Sequence, residues 1–292
     1  MKVTLIINPR SGHHRAPEAV GLAVEQCSRL DIDLTVHTIH GPGHGTELAR
    51  EAVRNGADRV LCAGGDGTLN AVACGLLGSD VPLGIVPEGS GNGYSRSLGL
   101  PQEPAEAIRM ALTGEVRRMD VGYLNDRPFL GTAGIGFDAR VAHQFDRSAK
   151  RGFGRYFQII VKEVFGAAPM RVKLQAAGQE LEEEVLMVVF ANTREFGNGA
   201  RIAPAARPDD GLADLKVVRK PGTLGLFRAF LDLYTGNADR SSYIRTLITD
   251  RATVWQEGTL AHLDGEPVEI GHDVEFRLEP KKLRVVAGAS VA

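Results

Sequence analysis

Arg59-Val60-Leu61-Cys62-Ala63, followed directly by Gly64-Gly65-Asp66-Gly67-Thr68-Leu69-Asn70, is the stretch that decides the fold. The apolar run reads as a buried strand, the glycines as a loop, and Thr68 to Leu77 as a helix. A glycine loop between strand and helix lets the backbone approach a phosphate with no Cβ in the way. The helix start then aims its N–H groups and the positive end of its dipole at that phosphate. Asp66 is the odd member. A carboxylate in a phosphate cradle repels anions unless it holds Mg²⁺ or takes a proton, as a phosphoryl-transfer site requires. The plainer alternative is a glycine-rich turn with Asp66 as a cap.

Working outward, the first third alternates strand and helix. Lys2 to Ile7, Asp33 to Ile39, Arg59 to Ala63 and Val81 to Val86 read as strands, and Pro17 to Leu30, Glu47 to Asn55 and Glu103 to Leu112 as helices. Repeated βαβ units predict a doubly wound parallel sheet. Near Val121 the rhythm changes to period-two runs: Met119 to Leu124, Pro128 to Ala133, Met170 to Gln175, Glu182 to Ala191, Leu212 to Val218, Ala252 to Trp255, Val274 to Leu278 and Leu283 to Val286. These predict an antiparallel β-sandwich. The expected division is an α/β domain over 1–121 and a β-sandwich domain over 122–292.

The 292 residues, 43% of them hydrophobic and 24% charged, suit a globular chain of this size. A net charge of −2 gives no global attraction to nucleic acid, so phosphate recognition must be local. No run approaches the roughly 20 apolar residues that span a bilayer, and Met1-Lys2 leads directly into a strand, so the cytoplasm is the expected address. Cys27, Cys62 and Cys74 sit in apolar patterns and read as core thiols, and His13-His14 as a polar loop.

Two more loops fall at carboxyl ends of expected strands, Asn8-Pro9-Arg10-Ser11-Gly12 and Pro87-Glu88-Gly89-Ser90-Gly91-Asn92-Gly93. In a doubly wound sheet these ends share one edge, so three loops should converge on one crevice. Neither a Walker A loop nor a GxGxxG dinucleotide fingerprint is present. In the second half, Pro208-Asp209-Asp210-Gly211 and Leu263-Asp264-Gly265-Glu266-Pro267 read by themselves as acidic turns. Arg151 to Val164 interleaves basic and aromatic residues in a helical pattern, which suits either a membrane surface or a core-packing helix.

Together these loops resemble the bacterial diacylglycerol kinase and sphingosine kinase superfamily of lipid kinases. The resemblance runs through Asn8-Pro9 with Ser11-Gly12, Gly64 to Asn70, and Gly89-Ser90-Gly91-Asn92 with Leu98-Gly99-Leu100-Pro101. It continues through Gly134-Ile135-Gly136-Phe137-Asp138, Arg201-Ile202-Ala203-Pro204, Asp210-Gly211-Leu212 and Asp264-Gly265-Glu266. The ordered set is far more specific than the Gly64 to Thr68 loop, which NAD kinases and phosphofructokinases also resemble.

The resemblance implies an NAD-kinase-like α/β domain, a β-sandwich and a cleft between them that binds ATP. It implies ATP with Mg²⁺ as cofactors and a membrane lipid such as diacylglycerol or a sphingoid base as acceptor. Asn8, Thr38, Gly64, Gly65, Asp66, Gly67, Thr68, Leu69, Asn70 and Ser90 would contact the nucleotide, and Asp66 would help arrange Mg²⁺. Glu266 would take the hydroxyl proton, Asp264 would be a second acid beside the metal, and Asp210 with the carbonyls of Arg207 and Leu212 would form a structural metal site. Peripheral membrane contact follows and nucleic-acid binding does not, while the oligomeric state stays open, with a homodimer among the options. The rival readings are an NAD kinase-like phosphotransferase and a nucleotide-sensing module without turnover. Two departures bear on the acceptor. Gly93 follows Asn92, where bacterial diacylglycerol kinases usually carry Asp, and Glu88 beside the phosphate loop would suit a cationic sphingoid amine.

Overall fold

A computed structural model describes residues 1–11, 16–137, 139–140, 168–197 and 199–287. The segment Arg151 to Val164, Gly12, His13-His14 and Asp138 lie outside the described residues. The chain divides into two compact units, Met1–Met119 with Lys281–Ala292, and Asp120–Pro280.

In the first unit, β1 (Lys2–Ile7), α1 (Ala16–Arg29), β2 (Asp33–Thr38), α2 (His44–Arg54), β3 (Arg59–Gly64), α3 (Asp66–Leu76), β4 (Leu83–Pro87), α4 (Gly93–Ser97) and α5 (Pro104–Thr113) follow in order. The strands pair in parallel as β2-β1-β3-β4. β3 and β4 are buried almost throughout, while the edge strand β2 is half exposed. Helices covering both faces of a parallel sheet explain why its inner strands read as continuous apolar runs. Val3, Leu5, Leu61, Val86, Ile108 and Leu112 anchor that core. Glu103 starts α5 by accepting the N–H groups of Ala105 and Glu106, with Pro104 in the first turn, and those bonds lower its carboxyl pKa. The short helix α4 was not legible in the sequence, because five residues carry too little period.

The chain continues through β5 (Glu115–Leu124), β6 (Arg127–Phe129), β7 (Thr132–Gly136), β8 (Met170–Ala176), β9 (Gln179–Val185), β10 (Met187–Ala191), β11 (Glu195–Gly197), β12 (Ala200–Arg201) and β13 (Ala213–Val218). Then come α6 (Thr223–Thr235), β14 (Ile244–Thr249), β15 (Arg251–Gln256), β16 (Leu260–Leu263), β17 (Glu266–Glu269) and β18 (Asp273–Ala287). One antiparallel sheet runs β14-β13-β10-β7-β16-β17, and a second layer holds β18, β15, β8 and β9. Phe129, Phe190 and Phe276 meet in the sandwich core, with the Phe190 and Phe276 ring centroids 5.0 Å apart.

Three sequence expectations change here. Glu182 to Ala191 is two strands, because the chain passes from one sheet to the other at Leu186, whose N–H bonds to the Val218 carbonyl. Val274 to Leu278 and Leu283 to Val286 are parts of one strand, β18, and Val285 pairs with Leu83 in the parallel sheet of the first unit. Helix α6 was missed, although Gly222 and the left-handed Gly236 bracket it as caps. Strand β13 is buried on both faces, and its fully buried Lys216 is paired with Asp214 at 2.9 Å, with Asp239 and with Thr246. Two carboxylates make a buried ammonium tolerable there.

Candidate active site

The first unit brings together the three loops at the carboxyl ends of β1, β3 and β4. Asn8 Nδ2 donates to Thr68 Oγ1 at 2.8 Å, and Ser11 Oγ lies 3.3 Å from the same hydroxyl. The Asn8 N–H reaches the Ala63 carbonyl at 3.1 Å, and the Glu88 N–H reaches that of Gly64 at 2.9 Å. Asn92, left-handed at φ 51°, turns its Oδ1 back to accept the Gly89 N–H at 2.8 Å. The loops touch glycine against glycine. A Cβ on Gly89 would stand 2.6 Å from the Gly65 Cα, and one on Gly65 would stand 3.2 Å from the Gly89 Cα.

Asp66 binds the third loop. Its Oδ2 accepts the Gly93 N–H at 3.0 Å and its Oδ1 the Tyr94 N–H at 3.1 Å, so it caps α4 while standing in the first turn of α3. Asp66 therefore does cap a helix, though the helix is α4 and not its own. Leu69 N–H to Gly65 carbonyl, at 2.9 Å, is the first bond of α3. The N–H groups before it belong to the helix start, where anions bind. Thr38 ends β2 beside Ile7, Asn70 accepts from Cys74 Sγ at 3.4 Å, Ser90 is exposed, and Leu69 packs in the core. Glu88 is 7% exposed, and its N–H is tied to the second loop at the Gly64 carbonyl.

In the second unit, Asp264 (φ 49°) and Gly265 (φ 85°) form the two-residue turn between β16 and β17. Positive φ at both positions is what a tight hairpin turn of primed type demands. Because Asp264 lies in the turn and Glu266 opens β17, the period-two alternation of an extended chain does not govern this pair. Asp264 folds back, with Oδ2 accepting the Leu130 N–H at 2.8 Å and Oδ1 those of Gly131 at 2.7 Å and Thr132 at 3.2 Å. Glu266 opens β17 and is exposed. The buried His262 accepts the Gly265 N–H at Nδ1, 3.3 Å away, and meets the Phe196 ring edge-on at 6.2 Å. These loop partners of the turn, and Asn192 behind them, carried no local signal in the sequence.

At the second acidic turn, Asp210 Oδ1 accepts the Leu212 N–H at 3.0 Å, and the Gly211 N–H reaches Oδ2 of the buried Asp120 at 2.7 Å. Among the described residues no group of three or more His, Cys, Asp or Glu could hold a metal ion. One exposed carboxylate with the two main-chain carbonyls at Arg207 and Leu212 is an all-oxygen set, whose chemistry suits a hard cation.

Residues 2–124 match the diacylglycerol kinase catalytic domain family, and residues 131–287 match the YegS C-terminal NAD kinase beta sandwich-like domain. A Chromohalobacter salexigens protein named "Probable lipid kinase YegS-like" is 34% identical over 90% of this chain and 86% of its own. A diacylglycerol kinase of Mycobacterium tuberculosis is 31% identical over 91% and 88%. A crystal structure of a diacylglycerol kinase from Bacillus anthracis superposes with TM-score 0.82 at 25% identity, covering 100% of this chain and 98% of that one. No helix among the described residues is long and apolar enough to cross a membrane. Loops knit at the edge of a parallel sheet, a β-sandwich bearing the Asp-Gly-Glu turn and relatives matching along nearly the whole chain lead to one conclusion: the chain belongs to the diacylglycerol kinase catalytic domain family and is an ATP-dependent lipid kinase.

Proposed function

We propose that the acceptor is the free hydroxyl of a membrane lipid, diacylglycerol before a sphingoid base, and that Glu266 takes its proton. In this reaction the lipid oxygen forms a bond to the γ-phosphorus of ATP, the bond from that phosphorus to the β-γ bridging oxygen breaks, the hydroxyl proton passes to Glu266 and ADP leaves. The observation that carries the reading is the meeting of the first two loops at the Thr68 hydroxyl, at the start of α3, with the third loop joined to the second through Asp66. Asn8, Thr38, Gly64 to Asn70 and Ser90 hold the nucleotide. Asp66 keeps the second and third loops together through its bonds to Gly93 and Tyr94.

Mg²⁺ bound with ATP supplies charge neutralisation at the phosphates. Asp66, the acid within the Gly64 to Asn70 loop, would help arrange that ion. Asp210 with the carbonyls at Arg207 and Leu212 would hold a structural cation. The kinase acts in the cytoplasm, at the membrane surface, and its product feeds phospholipid synthesis. The basic and aromatic pattern of Arg151 to Val164 supports surface contact from the sequence.

Purified protein with radiolabelled ATP and Mg²⁺ is offered dioleoylglycerol, a sphingoid base and NAD⁺ in parallel, the lipids in mixed micelles. Label in phosphatidic acid is expected. Label in the sphingoid base alone, or in NADP⁺, overturns the acceptor assignment.

A further inference from the structure

The loop that holds the Asp264 carboxylate is itself held from behind. Leu130, Gly131 and Thr132 turn three N–H groups to Asp264. On the carbonyl side of the same peptides stands Asn192, fully buried just beyond the end of β10. Its Nδ2 donates to the Leu130 carbonyl at 2.7 Å and to the Asp120 carbonyl at 3.1 Å, and its own N–H reaches the Gly131 carbonyl at 2.9 Å. The Thr193 N–H adds a bond to Gly131 at 3.1 Å.

Two carbonyls facing one side chain require two donors on one atom. A carboxamide nitrogen supplies them, serine supplies one, and aspartate supplies none. The opposite end of the amide has no such match among the described residues, where the buried Oδ1 finds no hydrogen-bond partner. A buried amide satisfied at one end only is a poor device for stability alone. It is an effective device for fixing one peptide orientation, since rotating the Leu130–Gly131 peptide would break its bonds on both sides at once. Asp120 extends the fixture, being fully buried and accepting the Gly211 N–H at Oδ2.

We propose that Asn192 is a positioning residue for phosphoryl transfer. It clamps the Leu130 and Gly131 carbonyls so that the N–H groups on the same two peptides, those of Gly131 and Thr132, point at Asp264 and hold the Asp264–Gly265 turn that carries Glu266. The proposal rests on the reading of Asp264 and Glu266 as the acids of the reaction.

The test compares Asn192→Ala, Asp264→Asn and the double variant in the full-length protein for kcat, ATP affinity and amide hydrogen exchange. A displaced catalytic group costs on the order of 10² in rate. Asn192→Ala should therefore lose roughly 10–100-fold in kcat, keep its ATP affinity within about twofold, and exchange the 130–132 amides faster. Acting through Asp264, it should add almost nothing to Asp264→Asn in the double variant. Asn192→Ser, with one donor, should fall between wild type and Asn192→Ala, and if the alanine variant does not fold, Asn192→Ser and Asn192→Gln are read in the same way. Multiplicative losses in the double variant, or wild-type kcat in Asn192→Ala beside an impaired Asp264→Asn, overturn the positioning role alone. Wild-type kcat in Asp264→Asn overturns the reading of Asp264, and the positioning role with it.

Discussion

Asp66 accepts the backbone N–H of Tyr94 at 3.1 Å although 28 residues separate them, and its second oxygen takes the Gly93 N–H at 3.0 Å. A carboxylate at a helix start satisfies N–H groups the helix cannot use itself, and it complements the positive end of the dipole. Asp66→Asn leaves one acceptor and turns an amide N–H₂ toward a backbone donor. Phosphoryl transfer is expected to fall by a factor on the order of 10² or more, and stability by about 1 kcal/mol, the scale of a lost helix cap. Steady-state kinetics and thermal unfolding read the two effects. Near wild-type kcat would sink the role. A loss of kcat at unchanged Tm would give Asp66 to the metal and not to the loops.

The glycine contact makes a second prediction. Gly89→Ala places a Cβ 2.6 Å from the Gly65 Cα and 2.7 Å from the Asn92 Oδ1, where the obstruction on one side is backbone. The two loops must separate, so ATP affinity measured by calorimetry should drop more than about tenfold, or roughly 1.4 kcal/mol. Gly21→Ala is the contrasting case. It lies within α1 with nothing inside 4 Å, so it should raise stability by about 0.5–1 kcal/mol and leave ATP binding alone. Equal ATP affinity in both variants would contradict the close approach of the loops.

The parallel sheet was legible because its inner strands β3 and β4 are covered on both faces and its phosphate-type loop sits between β3 and α3, all within neighbouring residues. The Asp-Gly-Glu hairpin was legible for the same local reason, since two residues with positive φ leave a composition signal. What the sequence withheld is long-range. Leu186 interrupts an apolar run without a glycine or proline to mark the change of sheet. Leu283 to Val286 has the period of any strand, and nothing in it says that Val285 pairs with Leu83. The side chain of Asp264 contacts peptides more than 130 residues away, so its partners could not be read from the neighbouring sequence.

Cysteine chemistry separates the three thiols. Burial in β3 pushes the Cys62 thiol up to about 12 from an ordinary 9.0, and burial in α1 raises that of Cys27. The thiolate is the reactive species, so alkylation of native protein near pH 8 should mark Cys74, which is partly exposed, well before the other two. ATP should slow that labelling, because Cys74 lies one turn beyond Asn70 and hydrogen-bonds to it. The folded protein holds the Cys62 proton more tightly than the unfolded chain does. Its contribution to stability is therefore complete below pH 9.0 and declines as pH rises toward about 12. Peptide mapping after iodoacetamide treatment checks the order, and early modification of Cys62 would contradict it.

Glu266 and Asp264 should separate by the kind of loss each shows. Asp264 is bound by three N–H groups, and Asp264→Asn must turn an amide N–H₂ toward one or more of them. Leaving buried donors mispaired costs about 1–3 kcal/mol, so this variant should unfold earlier and lose activity together. Glu266 is exposed at the first position of β17, where a change to Gln falls within about ±0.5 kcal/mol. Loss of a general base nevertheless removes about 10²–10⁴ from the rate. Glu266→Gln should therefore show wild-type Tm, nearly intact ATP·Mg²⁺ binding by calorimetry, and a kcat depressed across the pH range. An acid that touched the metal would instead weaken the apparent Mg²⁺ affinity when lost. If Glu266→Gln keeps most of its kcat, while Asp264→Asn loses kcat at unchanged Tm and unchanged Mg²⁺ dependence, the two roles are reversed and Asp264 is the base.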